Sequence, residues 1–177
     1  MNLLEVVADR LEALEIDYCA IGASALAAHG VSRATQDIDL FTTSSKALER
    51  ASWQGLPADV RHDVRRGDAF DSLAGVVRFQ APAQTDVDLV VGKFRWQTAI
   101  IGRAIPTVIE GRALRVVTAP DLVLLKLHAG GGKDAWDIGE LLEDADPHFI
   151  AAVEAELENL PDDARVLWER LRSEHRR

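Results

Sequence analysis

The chain has 177 residues, 47% of them hydrophobic and 28% charged, with one cysteine and a formal net charge of −9, the size and balance of one ordinary soluble domain. A lone Cys19 excludes an internal disulfide and fits a reducing compartment, and the acidic balance argues against a protein that coats nucleic acid through bulk charge. Acids from Glu5 onward do not suit a signal peptide, and no uncharged apolar run approaches the ~20 residues of a membrane span, so a cytoplasmic protein without a membrane partner is expected.

Leu3, Leu4, Val7, Leu11 and Leu14 recur at helical spacing and predict an amphipathic first helix. Ile16 to Ile21 then reads as a buried strand ending at Gly22, and Ser24 to His29 as an alanine-rich helix stopped by Gly30. A loop from Val31 to Gln36 leads into a second strand, Asp37 to Phe41, and Thr42 to Ser45 caps a helix reaching about Trp53. Val60–Arg66, Gly75–Gln80 and Asp86–Val91 are valine-rich strands between turn formers. Phe94–Arg103 reads as helix, followed by short strands around Thr107–Ile109 and Leu114–Val117 joined by Glu110, Gly111 and Arg112. From Pro120 four helices are expected: Asp121–Ala129, Asp134–Leu142, Pro147–Leu157 and Asp162–Arg172. The fold class is α+β, a mixed sheet flanked by helices with a short C-terminal helical tail. Residues 1–143 form the main domain and 144–177 a helical extension packed on it.

In Asp37-Ile38-Asp39-Leu40 the two acids share one strand face, roughly 7 Å apart at ~3.3 Å per residue, while Ile38 and Leu40 point the other way. Asp86-Val87-Asp88-Leu89 repeats the alternation. Asp88, deeper in its apolar run, is chosen as a third ligand, with Asp86 in reserve. Alternating acids are ordinarily the wet face of a strand, but here Phe41 and Val90 come next on the acidic faces. Carboxylates crowded at the edge of a buried face repel one another unless a cation neutralises them. Gly22-Ala23-Ser24 joins strand to helix, where Gly22 allows close backbone approach and Ser24 can cap the helix or donate to a phosphate oxygen.

Ile21-Gly22-Ala23-Ser24 through His29-Gly30, then Arg33-Ala34-Thr35-Gln36-Asp37-Ile38-Asp39-Leu40, resembles the signature of the DNA polymerase β-like nucleotidyltransferase superfamily. It is similar in particular to the AbiEii-type toxin branch, as is the later run Lys126-Leu127-His128-Ala129 with Lys133-Asp134-Ala135-Trp136-Asp137. The likeness spans roughly residues 16–143. It implies the nucleotidyltransferase fold, with Asp37, Asp39 and Asp88 as ligands to Mg2+, two ions with the nucleoside triphosphate. It also implies Gly22, Ser24, Arg33, Thr35 and Lys126 around the triphosphate, with Asp137 (or Asp134) orienting Lys126 or the substrate. Ala23 departs from the Gly or Ser usual at that position, which leaves any hydroxyl contact to Ser24. The resemblance further implies transfer of a nucleoside monophosphate to a tRNA or protein hydroxyl within a toxin–antitoxin system, with a cognate antitoxin or toxin as partner. Two other functions stand beside it: a catalytically silent nucleotide- or partner-binding module, and an antitoxin that nucleotidylates its toxin.

Other features carry less. Gly130-Gly131-Gly132-Lys133 lacks the following Ser or Thr and the earlier glycine of a phosphate loop. Arg170 and His175 lie in a charged C-terminus, the five histidines show no zinc spacing, and the four tryptophans read as packing residues. Arg61, Arg65 and Arg66 read as a solvated strand or turn instead of a basic groove.

Overall fold

Asn2 opens helix α1 (Leu3–Ala13) with a reciprocal cap: its side chain accepts from the Glu5 amide at 2.8 Å, and Glu5 accepts from the Asn2 amide at 2.7 Å. The computed structural model describes residues 1–32 and 37–175 of the chain. Glu15 takes a left-handed backbone after α1 (φ 55), and only Cys19–Ala20 pairs as strand β1, shorter than the Ile16–Ile21 strand expected. The cause is local: the Asp17 carbonyl is taken by the Thr42 hydroxyl at 2.7 Å and the Ile16 amide by Leu11.

Helix α2 (Gly22–Ala28) follows, then β2 (Asp37–Thr42). The helix expected up to Trp53 is instead two 3-10 turns, Ser45–Leu48 and Arg50–Trp53, parted by an extended Glu49. Side chains explain the break. Ser52 Oγ donates to the Lys46 carbonyl at 2.7 Å and Trp53 Nε1 to the Ala47 carbonyl at 2.8 Å, taking acceptors an α-helix would use. Strands β3 (Arg61–Arg66), β4 (Gly75–Gln80) and β5 (Asp86–Val91) come next, then α3 (Arg95–Arg103). Strands β6 (Ile105–Ile109) and β7 (Arg112–Val116) form a hairpin whose turn residues Glu110 and Gly111 both have positive φ, the twist such a turn requires.

The last helices are α4 (Ala119–Ala129), α5 (Gly132–Glu143), α6 (Pro147–Glu154) and α7 (Asp162–Glu174). α6 ends three residues before the expected Leu157, which begins a separate 3-10 turn. Thr118 caps α4, Pro120 occupies its first turn, and Gly130 closes it with φ 70.

The seven strands form one mixed sheet in the order β3-β4-β5-β2-β1-β7-β6. β2 and β5 lie parallel at its centre and β1 runs antiparallel to β2. One face carries Ile38, Leu40, Val77, Phe79, Val87 and Leu89, all buried, with Phe79 edge-on to Trp53 at 4.7 Å. The other face carries Asp37, Asp39 and Phe41 beside Asp86, Asp88 and Val90. α4 is apolar around most of its circumference, since it packs against α5, α6 and α7. Val153 of α6 and Ala164, Trp168 and Leu171 of α7 belong to the same core as the sheet.

Candidate active site

Parallel pairing sets Asp37 beside Asp86 and Asp39 beside Asp88, so the four expected acids stand as two rows on one sheet face. β4 extends each row. Arg78 lies opposite Asp88, and Gln80 donates to Asp86 Oδ2 at 2.6 Å. Arg78 is not among the residues expected at the site from the sequence. Its guanidinium forks Asp88, Nε to Oδ1 at 2.8 Å and Nη2 to Oδ2 at 2.5 Å, and reaches Asp37 Oδ2 at 3.6 Å. Asp88 is 8% exposed, so its charge has little water to fall back on, and the fork holds the Arg78 proton well above its ordinary range. A hairpin centred on Ala83 places Arg78 opposite Asp88, a signal present in the sequence.

Gly22 closes the other side. Its φ is 62, and a Cβ there would lie 2.8 Å from Asp39 Cγ and nearer still to Oδ2, so only glycine lets the turn touch this carboxylate. The helix begins at Gly22 with Ile21 as its N-cap, which puts Ser24 inside the first turn and removes the capping role expected for it. Ala23 is 6% exposed and packs inward, so a small apolar side chain suits the place where Gly or Ser was expected. Arg33 and Thr35 lie outside the described residues.

Lys126, 7% exposed, sits between two carboxylates of α5: Nζ reaches Asp137 Oδ2 at 2.5 Å and Asp134 Oδ1 at 3.2 Å. Both candidates named for orienting Lys126 therefore contact it, and Asp137 is fully buried.

The donor set of Asp37 and Asp39 is all carboxylate oxygen, which suits a hard cation such as magnesium. Asp88 differs, because both its oxygens are held by Arg78. Among the described residues no group of three or more His, Cys, Asp or Glu side chains is arranged to hold a metal ion. The two-carboxylate part of the site fits a magnesium ion, whereas Asp88, held by Arg78, is not free as a third ligand in this structure.

Beside Asp88 runs a groove of about 430 Å³ lined by Arg65, Arg66, Asp71 and Arg78. Arg65 pairs with Asp63 at 2.9 Å and Arg66 donates to the Leu48 carbonyl at 2.7 Å, and both are exposed on strand β3, as expected of a solvated strand, while bordering the groove. A cavity of about 450 Å³ between α1 and the β6–β7 hairpin, lined by Glu12, Tyr18 and Arg115 among others, touches none of the sheet-face aspartates. No helix among the described residues is long and apolar enough to cross a membrane.

A candidate nucleotidyltransferase from H. pylori superposes with a TM-score of 0.50 at 17% identity, over 93% of this chain and 79% of that one, a likeness of fold. An antigenic nucleotidyltransferase-like protein from Paracoccidioides brasiliensis gives 0.48 at 18% identity over 92% and 88%. ANT(2")-Ia in complex with adenylyl-2"-tobramycin gives 0.48 at 15% over 98% and 97%. No curated protein sequence matches the chain. The model of the family described as "Nucleotidyl transferase of unknown function (DUF2204)" matches residues 1–173. The chain belongs to that family.

Proposed function

We propose that the chain is a magnesium-dependent nucleotidyltransferase, transferring a nucleoside monophosphate from a nucleoside triphosphate to a hydroxyl group. The observation that carries this reading is the meeting of Gly22 with Asp39 beside Asp37, in the centre of the sheet of a nucleotidyltransferase-family protein. Asp37 and Asp39 would hold magnesium, two ions being the superfamily's habit, and bound magnesium would offset the charge of the carboxylates and the triphosphate. Gly22 lets the polyphosphate approach the backbone, and Ser24 is near enough in sequence to donate to it. Asp88, released by Arg78, would take the acceptor's proton. The acceptor oxygen bonds to the α-phosphorus, the bond from that phosphorus to the bridging oxygen breaks, and pyrophosphate leaves.

The groove beside Asp88 supports an acceptor that enters past Arg65 and Arg66, and two arginines there favour an anionic one such as tRNA over a neutral protein surface. The AbiEii-like order of motifs supports a toxin–antitoxin setting. A second reading is favoured by the Arg78 fork and by Ala23: a nucleotide-binding module without turnover, its third carboxylate permanently neutralised. Magnesium-dependent binding of a nucleoside triphosphate, followed by transfer to tRNA, decides between them. Binding with no product under any acceptor supports the silent module, and product from an Asp39→Ala variant would remove the catalytic assignment.

A further inference from the structure

The two edges of the sheet differ in what they offer to another chain. A strand edge presents unpaired N–H and C=O groups, and proteins ordinarily blunt it with charge, proline or a covering element. β3 is blunted by charge, carrying Arg61, Asp63, Arg65 and Arg66. β6 reads Ile105-Pro106-Thr107-Val108-Ile109, with no charged residue, and Ile105 is 47% and Val108 69% exposed. Among the described residues β6 pairs only with β7, so its outer edge is open.

The hairpin fixes which groups face outward. Ile109 and Arg112 flank a two-residue turn, which makes them a hydrogen-bonded pair, and Thr107–Leu114 and Ile105–Val116 follow in the same phase. Pro106 and Val108, which alternate with them, turn their backbone groups away from β7. Val108 offers an N–H and a C=O there, and Pro106 a C=O alone. The Glu110 N–H points the same way, because the Ile109 carbonyl of that trans peptide faces Arg112.

This pattern complements itself in an antiparallel register. With Val108 opposite Val108 of a second copy, the two residues exchange both hydrogen bonds across a two-fold axis. Pro106 then lies opposite Glu110 of the second copy and accepts its N–H. Pro106 opposite itself would set carbonyl against carbonyl with no donor, so the proline selects the register as well as weakening the edge. Charge agrees. Arg115 is exposed beside Pro106 on β7, donates to the Gly102 and Ala104 carbonyls, and has no ion pair among the described residues. The register brings Glu110 of the second copy into the row of Pro106 and Arg115, and the axis repeats the contact. Each copy carries a net charge of −9, so a strand without acids is where two copies meet with least repulsion.

We propose that the chain forms a two-fold dimer through β6, joining two sheets edge to edge, with Val108 at the axis and Glu110 of each copy set against Arg115 of the other. The interface is independent of the chemistry at the carboxylates, which stand on β2, with β7 and β1 between.

Sedimentation equilibrium of the full chain over a wide concentration range tests the dimer. The wild type should associate. Val108→Lys puts like charges at the axis and Glu110→Lys sets a cation against Arg115, so each should weaken association tenfold or more while leaving a folded monomer, since both positions are exposed. Cross-linking reads the register. Cα atoms of a hydrogen-bonded antiparallel pair stand ~5.5 Å apart, within disulfide reach, so Val108→Cys should join two copies on oxidation with copper–phenanthroline. Ile105→Cys is displaced from its own counterpart by roughly 20 Å along the strands and should not. Cys19 is buried and stays out of both products. A chain that remains monomeric throughout overturns the proposal, including one whose β6 amides gain exchange protection only on adding a different protein. A dimer that Val108→Lys leaves unweakened, or equal cross-linking at the two positions, overturns it as well.

Discussion

Arg78 and Asp88 face each other across the β4–β5 pair and are joined by two hydrogen bonds of 2.8 and 2.5 Å. The same guanidinium leans towards Asp37 at 3.6 Å, so one side chain sets its charge against an acid of each row. Arginine and metal are then alternatives at Asp88. Arg78→Ala leaves a buried carboxylate without its donor, which costs about 1–3 kcal/mol and lowers the melting temperature by several degrees. Magnesium should recover more stability in Arg78→Ala than in the wild type. Differential scanning fluorimetry over a magnesium titration reads this, and equal recovery in the two proteins would contradict it.

Gly22 has no room for a side chain on the Asp39 side. Gly22→Ala must push the Asp39 carboxylate aside and strain a residue with φ 62. We expect a stability loss of about 1–2 kcal/mol for the left-handed backbone together with loss of magnesium-dependent nucleotide binding. Denaturant unfolding and calorimetry on one preparation measure both. A folded variant that binds nucleotide as well as the wild type would show that the contact has no role.

Lys126 and Asp137 form a buried pair in the helical layer. Removing one partner of such a pair costs about 3–5 kcal/mol, whereas replacing both with apolar residues of similar size is near neutral. Lys126→Met should therefore unfold at markedly lower urea, and adding Asp137→Leu should restore much of the loss. If the double variant is as unstable as the sum of the singles, the pair does not act as a unit.

Burial holds the Cys19 thiol up at about 12 against an ordinary 9.0, and burial with the neighbouring Glu12 carboxylate holds Tyr18 up at about 12 against 10.0. Both folded values exceed the unfolded ones, so the unfolded chain ionises first. Their contribution to stability is whole below pH 9 and falls as the pH rises towards 12. Urea midpoints measured between pH 8 and 11 should decline, less steeply in Cys19→Ala. Below pH 9 Cys19 should also resist alkylation in the folded protein.

The elements most legible in the sequence were those whose pattern is local. α1 announces itself through Leu3, Leu4, Val7 and Leu11, and β2 and β5 through acids alternating with buried residues. The sheet order was not legible, because pairing β5 to β2 across 43 intervening residues, 43 to 85, depends on tertiary packing that no local period encodes. Side-chain bonds from Ser52 and Trp53 broke an expected helix for the same reason. At the site the carboxylates were readable from spacing and from motif order. Arg78 was not picked out, because one arginine on a valine-rich strand looks like a solvated residue.

The central claim is transfer chemistry at Asp37 and Asp39. Its most direct measurement incubates the purified protein with each α-labelled nucleoside triphosphate, magnesium, total tRNA and a cell extract, beside a folded Asp37→Ala/Asp39→Ala control. The account predicts a labelled RNA or protein band that depends on magnesium, prefers one base and is absent from the control. A band of equal strength in the control, or no label with any nucleotide and acceptor, would contradict it.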